Sequence, residues 1–139
     1  MEVLTLKIRL AVLWIFMAVA MSAYVVLAFM TEGAIEAVTS GEFEGIQITD
    51  ASLWILALFW LIPLTMAFLS VTLKDSMNRW ANMIAGLGFA IVYIIAAIGT
   101  LSEGETGGHL LMEFSKAAAA ILVVWYAWKW PRQEAGIPA

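Results

Sequence analysis

Four apolar stretches, each long enough to cross a bilayer, leave this chain little freedom of architecture. A hydrocarbon core of about 30 Å needs about 20 residues of helix, and lipid offers no partner for an unpaired peptide group. The stretches fall near Leu6 to Met30, Ser52 to Leu73, Met77 to Thr100 and His109 to Trp130. Of 139 residues, 63% are hydrophobic, and the mean hydropathy is +0.93, too apolar for a domain with a water-facing surface. The chain is therefore expected to be an all-α membrane protein, a four-transmembrane-helix bundle that takes up residues 1–139 as one domain. Little chain remains for a soluble catalytic module.

The first stretch opens like a secretory signal, with Lys7 and Arg9 ahead of an apolar run and Ala18, Ala20 and Ala23 offering small residues for cleavage. Its apolar text continues through Tyr24, Val25, Val26, Leu27 and Phe29, past the length of a signal core, so a retained helix is expected.

Charge sets the expected orientation. The amino terminus, the link around Lys74 to Arg79 and the carboxyl terminus carry Lys7, Arg9, Lys74, Arg79, Lys129 and Arg132 against Glu2, Asp75 and Glu134. Those segments are expected in the cytoplasm. The two other links carry Glu32, Glu36, Glu42, Glu44, Asp50, Glu103 and Glu105 with no basic residue. Such a face concentrates cations, although orientation by itself already demands that Lys and Arg be scarce there. A calcium loop over Glu42 to Asp50 is not expected, because the alternating oxygen ligands and central glycine are missing.

In the first outer link, Ala34, Ile35, Ala37 and Val38 predict a short amphipathic segment at the interface, packed down by Phe43, Ile46 and Ile48. Asp50 is the expected amino-terminal cap of the second spanning helix.

The chemistry-bearing residues are few. His109, Glu113 and Lys116 are spaced by four and three residues, which puts all three on one face at the start of the fourth helix. Ionisable groups inside a membrane are costly and ask for a reason. Together they suit a proton relay or a cation site; the structural alternative pairs Glu113 with Lys116, lets His109 cap the helix, and sends Lys116 snorkelling outward. Pro63 should kink the second helix and free the carbonyl of Phe59, a possible ligand for an ion. Trp60 and Trp14 lie deep, as core aromatics or a cation–π surface.

Ala81, Ala85, Gly86 and Ala90 on the third helix, with Asn82 at the same spacing, and the run Ala117 to Ala120 on the fourth, predict close backbone approach. Trp54, Trp80, Trp125, Tyr126, Trp128 and Trp130 predict interfacial belts.

Several functions are excluded. Without cysteine there is no thiol–disulfide exchange and no thiolate metal site. A single histidine does not supply two axial haem ligands, and the eight methionines read as packing. No metal site or cofactor is indicated. No phosphate loop, serine nucleophile motif or basic nucleic-acid surface is present.

The closing text Trp125-Tyr-Ala-Trp-Lys-Trp-Pro131, the segment Asn78-Arg-Trp-Ala-Asn-Met-Ile-Ala-Gly86, the loop Gly41-Glu-Phe-Glu-Gly-Ile-Gln-Ile-Thr49 and the Ile62-Pro63 step carry a resemblance. The chain resembles a family of small four-helix prokaryotic integral membrane proteins, a domain of unknown function. The resemblance implies the same fold and a prokaryotic cytoplasmic (inner) membrane, and implies no activity. It also implies an acidic residue two positions before the proline and another on the fourth helix. Glu113 matches the second; Leu61 stands where the first would be, so Glu113 is left to work with His109, Lys116 or main-chain groups.

The leading functional expectation is a non-enzymatic bundle that binds or translocates a small solute, proton or cation at an outward-facing site of His109, Glu113 and Lys116, with Pro63 and Trp60 as further candidates. One alternative is a redox subunit or enzyme acting on a quinone or lipid, by architectural likeness to the DoxX type. Another is a structural subunit of a larger membrane complex. Expected partners are the lipid bilayer and either a second copy or another membrane protein, with no nucleic acid.

Overall fold

The structure, a computed structural model, describes residues 2–105 and 107–131. Four long helices dominate: α1 Val3–Phe29, α3 Asp50–Thr72, α4 Asp75–Ser102 and α5 Gly108–Trp128, each long and apolar enough to span a membrane. Their ends lie one to three residues from those expected, because capping and hydrogen bonding rather than hydropathy settle the last turn. Asp50 is not the cap of α3. Thr49 is, in a reciprocal box in which the Ser52 amide donates to Thr49 Oγ1 (3.2 Å) and the Thr49 amide to Ser52 Oγ (2.8 Å). Asp50 occupies the first turn, where its charge complements the helix dipole.

The link between α1 and α3 contains the expected short helix, α2 Ala34–Thr39, and an unforeseen hairpin, β1 Glu42–Phe43 with β2 Ile46–Gln47. The turn residues Glu44 and Gly45 have φ of 48° and 76°. Two successive positive φ values are what a two-residue hairpin turn requires, and glycine accepts them freely whereas glutamate does not. Of the three residues expected to hold the link down, Phe43 packs on Phe29 (5.4 Å between ring centres), whereas Ile46 and Ile48 stay exposed.

The long helices pack in the order α3, α1, α5, α4. The α4–α5 seam is the most extensive, and small residues make it so: a Cβ placed on Gly86 would lie 2.8 Å from Val123 Cγ1. Ala117, Ala119 and Ala120 are buried in one core with Leu10, Trp14 and Met17 of the neighbouring α1. Lipid is as apolar as these side chains, so such close packing supplies the association energy. Phe89 of α4 takes an edge-to-face contact from Trp14 (5.6 Å) and another from Phe59 (5.8 Å). In contrast, α3 and α4 meet in few places although only two residues separate them. An apolar cleft of about 490 Å³, lined by Ile55, Leu58, Phe59, Ile62, Phe89 and Val92, opens between them.

The antiparallel topology gathers Lys7, Arg9, Lys74, Arg79 and Lys129 at one end and the glutamate-rich links at the other. Lys7 fastens the basic end by donating to the Leu73 carbonyl (2.9 Å) and pairing with Asp75 (2.9 Å). Arg132 and Glu134, used above for orientation, lie outside the described residues. Trp54, Trp80, Trp125 and Trp128 are exposed, as belt residues should be, but Trp130 is 5% exposed and belongs to the core. Pro63 does not break α3, which continues to Thr72, and the proline is itself buried.

Candidate functional site

Gly107 and Gly108 bring α5 in beside α1: Gly107 has φ of 84°, and a Cβ on Gly108 would stand 3.2 Å from Leu27 Cδ1. Two turns further in, Glu113 and Lys116 are 3% and 2% exposed. At 1.5 Å per residue, Lys116 lies about 12 Å along α5 from its start. Its Nζ donates to Glu113 Oε1 at 2.7 Å. The ammonium also stands 4.5 Å from the ring centre of Tyr24 on α1, 4.9 Å from that of Tyr93 on α4, and 3.7 Å from Met21 Sδ. Lys116 therefore does not snorkel. Two aromatic faces and a carboxylate substitute for water, and cation–π attraction is strongest where the cation is desolvated.

The expected triad is divided. His109 Nδ1 stands 3.6 Å from Glu105 Oε2, and its ring meets Tyr24 edge to face at 5.4 Å. It does not cap α5, whose cap is Gly107 without a side-chain bond. Tyr24 is thus the central residue, with Lys116 against one part of its ring, His109 against another, and its hydroxyl donating to Glu44 Oε2 at 2.7 Å. Sequence reasoning singled out neither Tyr24 nor Tyr93. The available signal was that tyrosines set within apolar helices need polar or cationic neighbours.

Above the pair, a cavity of about 470 Å³ is walled by Tyr24 and by Glu32, Glu42, Glu44, Glu103 and Glu105, with no basic residue in its described lining. Glu44 holds an unfavourable φ of 48° there while it accepts the Tyr24 bond. Strained residues persist where surrounding contacts over-determine them. Among the described residues, three buried side-chain atoms have no hydrogen-bond partner: Glu113 Oε2, Tyr93 Oη and His109 Nε2. All three belong to this end of the bundle. No group of three or more histidines or carboxylates is placed to hold a metal ion among the described residues.

Pro63 and Trp60 are not brought to this cluster. Trp60 Nε1 donates to Ser22 Oγ (2.8 Å) across the α1–α3 seam, and Pro63 is buried on α3, which packs chiefly on α1. Trp14 proves to be a core residue with a polar handle. It is part of a second buried cluster toward the basic end, in which Asn82 Oδ1 accepts from Trp14 Nε1 (2.6 Å) and Ser70 Oγ (3.1 Å). Asn82 Nδ2 donates to the carbonyl and Oδ1 of Asn78, and Asn78 Nδ2 donates to the Ser70 carbonyl (2.6 Å). The four-residue spacing of Asn78 and Asn82 was the signal for this cluster, since asparagines in an apolar helix hydrogen-bond across helices.

Comparison with known proteins places the chain in a family. It belongs to the family of unknown function DUF6326, whose model matches residues 5–136. No curated protein and no solved structure matches it.

Proposed function

For this DUF6326 chain we propose a membrane bundle that binds a small cation at its acidic end, with Glu113 as the anionic ligand. The observation that carries the reading is a buried carboxylate with one oxygen unpartnered, lying near a cavity walled by five glutamates. Charges of one sign around a low-dielectric recess focus the field and raise the local concentration of counter-ions. Tyr24 lines the cavity and carries the Lys116 ammonium against its ring, so one side chain joins the two. His109 lies edge to face against Tyr24 and beside Glu105 of the cavity wall.

The same reading puts the acidic end outside and the basic end, with both termini, in the cytoplasm. The test is cation-dependent flux and binding in proteoliposomes. Glu113→Gln keeps the shape of the side chain and removes its charge, and is expected to abolish both. Unchanged binding by that variant would sink the assignment.

One observation favours a second reading. The cleft between α3 and α4, about 490 Å³ and apolar throughout, is of a size for an acyl or isoprenoid tail. A bound lipid or quinone would be seen as a stoichiometric extra mass on gently extracted protein, and a bare protein mass would dispose of this reading.

A further inference from the structure

We infer that the α1–α5 seam at the basic end docks one phospholipid of net negative charge, its phosphate held by Arg9 and Lys129. This end is opposite the acidic cavity, so the site stands or falls apart from the cation reading. The fold treats two cations of α1 differently. Lys7 and Arg9 are two residues apart, which sets them about 160° apart around the helix. Lys7 turns to where α3 gives way to α4: its side chain is 16% exposed, pairs with Asp75 at 2.9 Å and donates to the Leu73 carbonyl at 2.9 Å. Arg9 turns to α5, stays exposed, and has its guanidinium over the Tyr126 ring, 5.7 Å from the centre. None of the three ion pairs among the described residues includes it.

The place of Arg9 along its helix asks for a counter-ion. At 1.5 Å per residue it lies about 9 Å inside the start of α1, on the outer wall of a bundle that lipid surrounds. A charge there is costly unless it reaches the headgroups or finds a partner. The Tyr126 ring covers one face of the guanidinium and leaves the N–H donors, which lie in its plane, for an anion. A phosphate takes two of them side by side.

Lys129 supplies a second cation. It follows the last turn of α5, three residues past Tyr126 and so on the same side of the helix. It is exposed, its ammonium stands 4.1 Å from the ring centre of Trp125, and it too belongs to none of those ion pairs. Trp125 and Trp128 are 51% and 67% exposed beside it, which sets this end of α5 at headgroup depth, where indole rings reside. Charge complementarity names the occupant. Two cations at that depth suit an anionic phosphodiester, whereas a zwitterionic headgroup brings its own ammonium against them. Arg79, at the same end, also lies over an aromatic ring, but that ring is Trp80, its neighbour in sequence, and joins no second helix.

The experiment is native mass spectrometry of the full chain in mild detergent with equal amounts of dioleoylphosphatidylglycerol and dioleoylphosphatidylcholine. Ammonium acetate at about 0.2 M screens charges more than about 10 Å away. The expected result is about one phosphatidylglycerol retained per chain, preferred about tenfold or more. Arg9→Gln and Lys129→Gln should each lower that preference about fivefold, and the double variant should erase it. Arg9→Lys keeps the charge without the two-pronged contact and should fall between parent and Arg9→Gln. Arg79→Gln removes the same charge from the same end and should change the preference by less than about twofold. Should Arg9→Gln fail to fold, Lys129→Gln, beyond the last turn of α5, carries the test. An equal loss in Arg79→Gln would assign the effect to the overall charge of the basic end and overturn the site. A preference that survives the double variant, or none in the parent, overturns it as well.

Discussion

The bundle holds two buried polar clusters, and they are built on opposite principles. Toward the basic end, Trp14, Ser70, Asn78 and Asn82 are neutral, join three helices and leave no side-chain donor or acceptor unpaired. Toward the acidic end, Glu113, Lys116, Tyr24, Tyr93 and His109 are charged or titratable and leave three polar atoms without partners. A closed network rigidifies and specifies a packing, whereas a buried group left unsatisfied costs free energy and calls for an explanation. The difference separates a cluster that closes on itself from one that keeps polar atoms unspent.

The widest gap between them should be seen on breaking the ion pair. Lys116→Met strands Glu113 in the bundle and is expected to cost about 3–5 kcal/mol in detergent unfolding titrations. Adding Glu113→Leu should recover most of that, because replacing both charges by apolar groups removes the desolvation penalty along with the attraction. A single substitution costing under about 1 kcal/mol would mean that the pair behaves as a solvated one and would dissolve the contrast.

The neutral cluster should respond differently. Asn82→Leu leaves Trp14 Nε1 and Ser70 Oγ without their acceptor and is expected to cost about 2–3 kcal/mol, with cation affinity unchanged when measured on folded protein. A change in affinity would join the two clusters into one site.

Between the clusters runs the α4–α5 seam. Gly86→Ala meets Val123 Cγ1 at 2.8 Å and should destabilise by about 1–3 kcal/mol, while Gly88→Ala, with nothing within 4 Å, should stay within about 0.5 kcal/mol of the parent. At the cavity wall the expected effect is modest. Tyr24→Phe removes the bond to Glu44 but keeps the ring over Lys116, a loss of about 1 kcal/mol. Glu44→Gly loses the same bond while relieving the φ of 48°, so its net cost should be smaller than that of Tyr24→Phe.

The residues differ in how legible they were. The spanning helices were plain from hydropathy, and the Glu113–Lys116 pair followed from a spacing of three, because both are consequences of a single helix and its solvent. The cap at Thr49 was missed by one position, since Asp50 and Thr49 are both good caps and only backbone geometry chooses. The hairpin at Glu44 and Gly45 was missed because glutamate is a poor residue for a left-handed turn position. His109 was grouped with Glu113 by periodicity, yet its partners are Glu105 and Tyr24, from the preceding link and another helix. Trp130 was read as interfacial from its place at a helix end, and tertiary packing buries it.

By itself, the sequence determined that the chain has four helices long and apolar enough to cross a membrane, that its charges divide into a basic and an acidic end, and that Glu113 and Lys116 share one face of the fourth long helix. These depend on local periodicity and on transfer from water to hydrocarbon, which each segment settles alone. Only the tertiary structure decided that Tyr24 and Tyr93 flank Lys116, that Trp14 meets Asn82, and that α3 and α4 splay apart although two residues link them. The physical reason is that lipid and core are equally apolar, so hydrophobicity does not say which face of a membrane helix turns inward. The fit of small residues and the pairing of a few polar groups across helices make that choice.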